Sequence, residues 1–455
     1  MTQTSTTAYT SLSAQYGRLV SAALRVDGVS LAGFLQQAQG SERFYWENSR
    51  DDVAFAGAGA ALELFAVGVD RFRSIHHRAM ELFGDSIVLD EEEPLAAPRL
   101  FGGFSFTDDF VPDVAWSNFP PAHFVLPHYQ LVRIGDIHWL TINTHVQYGE
   151  NPNLILPELK DALQIKAQAL QDAQVTPASQ TMSDLNYPMV YGEWERIIND
   201  ATTRMKNGEL NKVVLSRVAE ARFKQRFTVD AALNYLAEAY PDTYRFIFEP
   251  RPYHAFFGAT PELLVKVKHR KAHTMALAGS IQRGDTPEAD EAYAQELLDS
   301  EKDRYEHQLV IDGIHTRLEP LAKSVKVGAT GIMQLSNIQH IHTPISATLH
   351  RADGVIPVVD ALHPTPALGG DPAEIAMNLI SHYEPVPRGW YAAPVGWVDR
   401  RLDGEFGVAI RSAVAQEKRV WLYAGAGIVK DSDPQKEWDE TQLKFTPMLD
   451  ALSAE

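Results

Sequence analysis

The chain contains no cysteine among its 455 residues, which excludes disulfides, thiolate zinc sites, iron–sulfur clusters and cysteine nucleophiles. It contains no apolar run of the ~18 residues that a membrane-spanning helix needs, so no membrane partner is expected. Basic residues are scarce relative to acidic ones, 41 Lys and Arg against 59 Asp and Glu, for a formal net charge of −18. A nucleic-acid backbone is thereby a poor partner, because phosphate binding needs clustered Lys and Arg. Small anions are not excluded, since a local cationic pocket or a bound metal can reverse the potential. The GxxxxGK[ST] phosphate loop is missing, as are a strand-following GxGxxG and the GxSxG nucleophile elbow. Internal repeats and low-complexity segments are absent too. The first 25 residues lack any acid and are rich in Ser and Thr, with Arg18 and Arg25. That composition is compatible with an organelle transit peptide; a loosely attached polar terminus on a cytoplasmic protein is the preferred expectation.

What is present is a soluble globular balance, 45% hydrophobic and 22% charged, able to bury a sizeable core. The length allows roughly three domains or one large mixed fold. Residues 17–35 read as a strand or two, 43–66 as a β-hairpin and 70–83 as a helix. The acidic run Asp90-Glu91-Glu92-Glu93 ends at Pro94 and reads as an exposed loop. Residues 99–148 are β-rich, 154–174 an amphipathic helix and 175–188 a polar linker. Beyond it lie helices at 193–207 and 229–239 and strands at 212–218, 244–249 and 255–259. Helix starts follow at Thr286-Pro287, at the capping box Ser300-x-x-Asp303 and at Asp371-Pro372. Strands at 390–398, 405–415 and 419–424 close the chain. Many strands, interspersed helices and few βαβ periods favour a mixed sheet over a Rossmann or barrel fold.

Polar groups concentrate near the C-terminus. Gly425-Ala426-Gly427 reads as a turn where backbone can approach a ligand, and Asp433-Pro434 as the cap and first residue of a helix. That helix places Glu437, Glu440 and Lys444 at i, i+3 and i+7, on one face. The competing reading is a solvated face with internal ion pairs. Asp303 and Glu306 repeat the i, i+3 acid spacing on the helix that Ser300 caps. Two such pairs facing each other would form the all-oxygen site that Mg²⁺ prefers, although a capping role competes for Asp303. Lys212 opens a strand on the same face as Val214 and Ser216, and Glu262 follows a proline in a turn. Both are ordinarily surface positions. Facing a cavity, a neutral lysine can take up a proton while a protonated glutamic acid gives one. His340-Ile341-His342 alternates as on a strand and lacks metal-pair spacing, so His340 reads as a structural or substrate contact.

Several segments resemble the chorismate-utilising enzymes, the group of isochorismate, salicylate, anthranilate and aminodeoxychorismate synthases. They are Lys212-Val213-Val214-Leu215-Ser216-Arg217, Gly258-Ala259-Thr260-Pro261-Glu262-Leu263, Leu277-Ala278-Gly279-Ser280 and Ser300-Glu301-Lys302-Asp303-Arg304-Tyr305-Glu306-His307. Residues 363–368, Val408-Ala409-Ile410-Arg411 and the 423–444 stretch add to the likeness, which covers about residues 190–450. It implies an α+β fold like that of anthranilate synthase component I: two large packed mixed or antiparallel β-sheets with helices outside. It also implies one structural domain, with residues 1–187 as a framework region and 188–452 as the chorismate-binding catalytic region.

By the same likeness Lys212 and Glu262 would be the catalytic base and acid. Glu306 and Glu440 would hold Mg²⁺, supported by Glu437 and Asp303. Gly279, Ser280, His340, Ala367, Leu368, Arg411, Gly425 and Lys444 would bind chorismate. Anthranilate synthases similar to this chain usually carry glutamine where Lys212 stands, and aminodeoxychorismate synthases a lysine near Ala278 that is absent here. Lys212 therefore points to water as the nucleophile, with no amidotransferase subunit and a monomer expected. His340-Ile341-His342-Thr343-Pro344-Ile345 resembles the isochorismate-forming group of menaquinone and siderophore synthesis. Salicylate synthases, the alternative, tend to have His-Leu-Gly-Ser there. Ser280 departs from the commoner threonine but keeps the hydroxyl.

Overall fold

Two-residue alternation builds the central strands of this chain, and both faces of those strands are buried. In the computed structural model, which describes residues 17–89, 92–147, 149–173 and 180–454, strand Arg43–Asn48 shows the pattern clearly. Phe44 and Trp46 enter one apolar cluster while Tyr45 enters another. The same division separates Phe246 and Phe248 from Ile247, and Phe256 from Ala255 and Phe257. Period-two patterning thus assigns side chains to two cores on opposite faces of one sheet.

Ladders connect 21 strands, and ten α-helices accompany them among the described residues. The larger sheet runs through Ile87–Leu89, Arg18–Val26, Ile137–Val146, Ala122–Ile134, Val53–Ala66 and Arg43–Asn48. It continues through Tyr244–Arg251, His254–Thr260, Ser412–Gln416, Arg419–Val429, Lys212–Phe223 and Met182–Asn186. A second sheet branches from Ala122–Ile134. It passes through Arg99–Phe104, Pro394–Asp399, Gly404–Val408, Leu263–Lys268, Lys271–Gln282 and Ile338–Leu349. Among the described residues all ladders are antiparallel except that between Arg18–Val26 and Ile87–Leu89.

The two sheets pack on each other through aromatic side chains. Phe44 stacks on Phe101 with centroids 6.3 Å apart, and Phe55 meets Trp397 edge-on at 5.2 Å. Each such buried ring contributes about 1.5–3 kcal/mol through lost apolar hydration. The outer face of the larger sheet is covered by helices Leu31–Gln37, Leu156–Gln171, Val229–Ala239 and Pro434–Leu452. The architecture is the expected α+β fold of two large packed sheets with helices outside. None of the described helices is long and apolar enough to cross a membrane.

Local readings fail where a side chain answers to a distant partner. Residues 31–35, the end of the 17–35 stretch read as strand, belong to helix Leu31–Gln37, because the Ser30 hydroxyl accepts from Gly33 N and Phe34 and Leu35 face the core. The polar linker contains a strand, Met182–Asn186, on the edge beside Lys212–Phe223; residues 174–179 lie outside the described residues, as do 1–16, Asp90 and Glu91. Gly425-Ala426-Gly427 is no turn but the interior of strand Arg419–Val429. The single strand expected over 405–415 is two, interrupted where Arg411 adopts φ +50°. Asp371 does not cap a helix. It pairs with Lys212 in a two-residue ladder, and its side chain accepts a hydrogen bond from Asn211.

Candidate active site

The cleft forms where the ends of both sheets meet helices Glu301–Leu318 and Pro434–Leu452. Strands Lys212–Phe223 and Arg419–Val429 pair so that Gly427 lies opposite Val214 and Gly425 opposite Ser216. The bare glycines let other elements close in. A Cβ on Gly425 would sit 3.0 Å from Leu215 O and 3.2 Å from Tyr391 Oη. On Gly427 it would sit 2.3 Å from Glu306 Oε1 and 3.1 Å from Lys212 Cε. Lys212 is fully buried, with Nζ 2.7 Å from Glu306 Oε1. The contact is an ion pair.

Caps place the acids. Ser300 Oγ accepts from Asp303 N, starting the helix that carries Asp303 and Glu306. Asp433 accepts from Gln435 N and Lys436 N, starting the helix that carries Glu437, Glu440 and Lys444. Three of the four acids hold a lysine: Glu306 holds Lys212, Glu437 holds Lys302 at 2.8 Å and Glu440 holds Lys444 at 2.6 Å. Burial pushes the Glu306 carboxyl up, but Lys212, then Lys302 and Lys444, bring it below the usual range. Burial and nearby Glu440 push Glu437 up to about 7 against the pull of Lys302. Burial raises Asp303 as well, and Glu306 and Glu440 add to the effect.

This crowding of oxygen donors fits a divalent cation in chemistry and in charge. No three metal-binding side chains converge on one point among the described residues, and lysines hold three of these carboxylates. A metal must therefore compete with ammonium groups for these carboxylates.

Glu262 lies in the connection between strands His254–Thr260 and Leu263–Lys268 and lines the cleft. Burial lifts it to about 7, opposed by Lys212 and Lys444. Gly279 sits at a bulge in strand Lys271–Gln282 with φ +76°, a conformation that favours glycine. The neighbouring Ser280 hydroxyl lies 2.9 Å from His340 Nδ1. Burial, with Arg411 and Lys444 nearby, lowers His340 to about 3, so its ring is neutral. Lys444 Nζ donates to Gly425 O at 3.0 Å. Ala367 and Leu368 occupy a turn docked on the Lys212 strand by Val214 N donating to Gly369 O at 2.9 Å.

Fourteen residues were expected here, and the fold gathers them. Twelve of them, Glu262, Gly279, Ser280, Asp303, Glu306, His340, Ala367, Leu368, Arg411, Gly425, Glu440 and Lys444, line one cleft. Lys212 and Glu437 stand one layer behind, reached through Glu306 and Lys302.

A sequence profile for the family described as chorismate binding enzyme matches residues 5–453. The chain belongs to the chorismate-binding enzymes. It is 37% identical over 411 residues to a salicylate biosynthesis isochorismate synthase of Pseudomonas aeruginosa, covering 90% of this chain and 84% of that protein. It is 32% identical over 440 residues to an isochorismate synthase, MenF, of Bacillus subtilis, covering 94% and 92%. Its fold is shared by the menaquinone-specific isochorismate synthase of Escherichia coli (TM-score 0.78, 24% identity, 96% and 94% covered). Anthranilate synthase component I of Streptococcus pneumoniae shares it too (TM-score 0.72, 20% identity, 87% and 92% covered).

In this chorismate-binding enzyme, sequence reasoning missed Lys302, Arg388, Tyr391 and Gly427, all of which line the cleft. Lys302 lies inside the Ser300–His307 motif, and an unmatched cation beside two acids was the available signal. Gly427 was visible as a glycine but not as the space that Glu306 fills. Gly427→Ala is expected to lower turnover about tenfold or more, because its methyl would part Glu306 from Lys212. Steady-state kinetics beside a melting curve check this; an unchanged kcat would count against the packing argument.

Proposed function

We propose that this enzyme is an isochorismate synthase, converting chorismate to isochorismate with Mg²⁺. Water adds at C2, the ring double bonds shift and the C4 hydroxyl leaves as water, so atoms balance and the reaction is reversible. Lys212 takes the proton from the attacking water. Glu262 gives a proton to the departing hydroxyl. The observation that carries this reading is a fully buried lysine, one layer behind the cleft wall, within electrostatic reach of a cleft carboxyl lifted to about 7. The naming of two relatives of 37% and 32% identity as isochorismate synthases supports it.

Arg411 and Lys444, with the Gly279, Ser280 and Gly425 backbone, hold the two substrate carboxylates, and His340 with Ala367 and Leu368 flanks the ring. Glu306 and Glu440, with Glu437 and Asp303 in support, would hold Mg²⁺, which when bound neutralises the ring carboxylate. Residues 1–187 serve as framework and 188–452 carry the chemistry within one domain. The pairing of Arg43–Asn48 with Tyr244–Arg251 supports the single domain. The enzyme acts as a cytoplasmic monomer, without an amidotransferase.

The test is incubation of purified protein with chorismate and Mg²⁺, with chromatographic identification of the product. Isochorismate without pyruvate is expected. Pyruvate release would move the assignment to a salicylate synthase, and anthranilate formed with ammonium salts would move it to an anthranilate synthase. Removal of divalent cations with a chelator should reduce turnover at least a hundredfold, on the order expected for losing a charge-stabilising group, and Mg²⁺ should restore it. Full activity in excess chelator would exclude the metal assignment.

A further inference from the structure

Two arginines line the cleft, and they are held very differently. Arg411 is buried, and its side chain's one hydrogen bond among the described residues is Nη1 to Lys444 O at 3.4 Å. Its guanidinium is left to recognise a ligand carboxylate. Arg388 is equally buried, but its donors are spent on the protein. Nε donates to Glu384 Oε2 at 2.9 Å and Nη2 to Glu384 Oε1 at 2.5 Å, a bidentate pair. Nη2 also donates to Val214 O at 2.7 Å, and Nη1 to Leu368 O at 2.9 Å. The guanidinium lies 4.3 Å from the centre of the Phe106 ring. Glu384 Oε1 in turn accepts from Ser216 N at 2.8 Å. One N–H of the five on Arg388 is left over.

These bonds converge on two pieces of the site. Val214 and Ser216 lie two and four residues along the strand from Lys212. Leu368 is the turn residue expected against the substrate ring. Glu384 itself is turned away from the cleft, toward a second cavity lined by Phe106, His363 and Met377. Because both partners are buried, at 3% and 5% side-chain exposure, the pair holds its geometry only while all these bonds are made.

We propose that Glu384 and Arg388 are positioning residues: together they fix the Leu368 turn against the Lys212 strand, and Arg388 does not bind the substrate's carboxylates. The assignment rests on the reading of the cleft as an isochorismate synthase site. A misplacement of about 1 Å between the ring wall and the base costs on the order of a hundredfold in rate, while ground-state binding by Arg411 and Lys444 is untouched.

The experiment compares wild type, Glu384→Gln, Arg388→Lys and the double variant in chorismate turnover and in hydrogen exchange of peptides covering 212–217 and 365–370. In each single variant kcat is expected to fall about ten- to a hundredfold with KM within threefold, and the double variant to be no worse than the weaker single one. Exchange in both peptides should rise about fivefold or more, with strand Arg18–Val26 as the unchanged reference. A tenfold rise in KM for Arg388→Lys with Glu384→Gln silent would overturn the proposal and make Arg388 a carboxylate ligand. Unchanged kcat in Glu384→Gln would overturn it as well. If the wild type forms no isochorismate, the functional reading fails by itself; exchange then decides the positioning role, and unchanged exchange overturns it.

Discussion

Lys212→Ala should lower the turnover of chorismate to isochorismate by about two to four orders of magnitude, the range for loss of a positioned general base. The effect is large because the other two lysines at the cleft stand on other elements and are tied to different partners. Lys444 is held by Glu440 and Gly425 O, and Lys302 by Glu437. The same substitution leaves Glu306 buried beside the space its partner occupied. Breaking a buried pair from one side costs about 3–5 kcal/mol, less whatever Glu306 recovers by taking up a proton. Lost activity and lost stability would therefore coincide in the alanine variant. Lys212→Met separates them, since methionine keeps most of the stem's packing in a fully buried position but supplies no base. Its melting temperature should lie nearer the wild type while kcat stays at the alanine level. A methionine variant with turnover within threefold of wild type would remove Lys212 from the chemistry and leave it a structural counter-ion.

The readable parts of the fold are those whose signal is local or periodic. The hairpin of Arg43–Asn48 and Val53–Ala66 was legible because alternation is a property of the segment itself. The two helices bearing the acids were legible through Ser300 and Asp433, whose caps form within three residues. The continuation of strand Arg419–Val429 beyond residue 424 was not, because glycine carries a turn signal along the chain. Here its missing side chain instead answers to Glu306, Tyr391 and Leu215 O, which approach from elsewhere. The break at Arg411 is likewise tertiary: Ala392 N donates to Ala409 O and Ala259 N to Arg411 O, contacts that nothing in 405–415 announces. Partners fared worse than positions. That Glu437 shares a helix face with Glu440 and Lys444 followed from i, i+3 spacing; that it is tied to Lys302, 135 residues away, did not. The solvated-face reading of that helix was correct about internal ion pairing, as in Glu440–Lys444, and wrong about solvent for the fully buried Glu437.

Glu262 makes the second large prediction, and its sign follows from burial. At 5% exposure its carboxyl is lifted from 4.5 to about 7, the desolvation outweighing the pull of Lys212 and Lys444. The proposed proton donor is therefore the acid form, and kcat/KM should fall as pH rises through about 7, approaching tenfold per unit beyond it. Glu262→Gln removes both the donor and this limb of the profile, with a loss of about two to four orders of magnitude.

Stability gives an independent reading of the same group. Because the folded carboxyl binds its proton more tightly than the unfolded one, its contribution is complete below 4.5 and is lost as pH rises through about 7. Glutamine has no proton to lose. The melting temperature of Glu262→Gln should thus climb relative to wild type between pH 4.5 and 8, while its activity stays low throughout. Removing the Lys212 charge by the methionine substitution should move the stability limb of Glu262 to higher pH, since Lys212 is the larger of the two cations opposing burial. A profile flat between pH 6 and 8, with the stability difference still present, would identify Glu262 as a buried acid that the reaction does not use; the proton for the departing hydroxyl would then have to come from another group in the cleft.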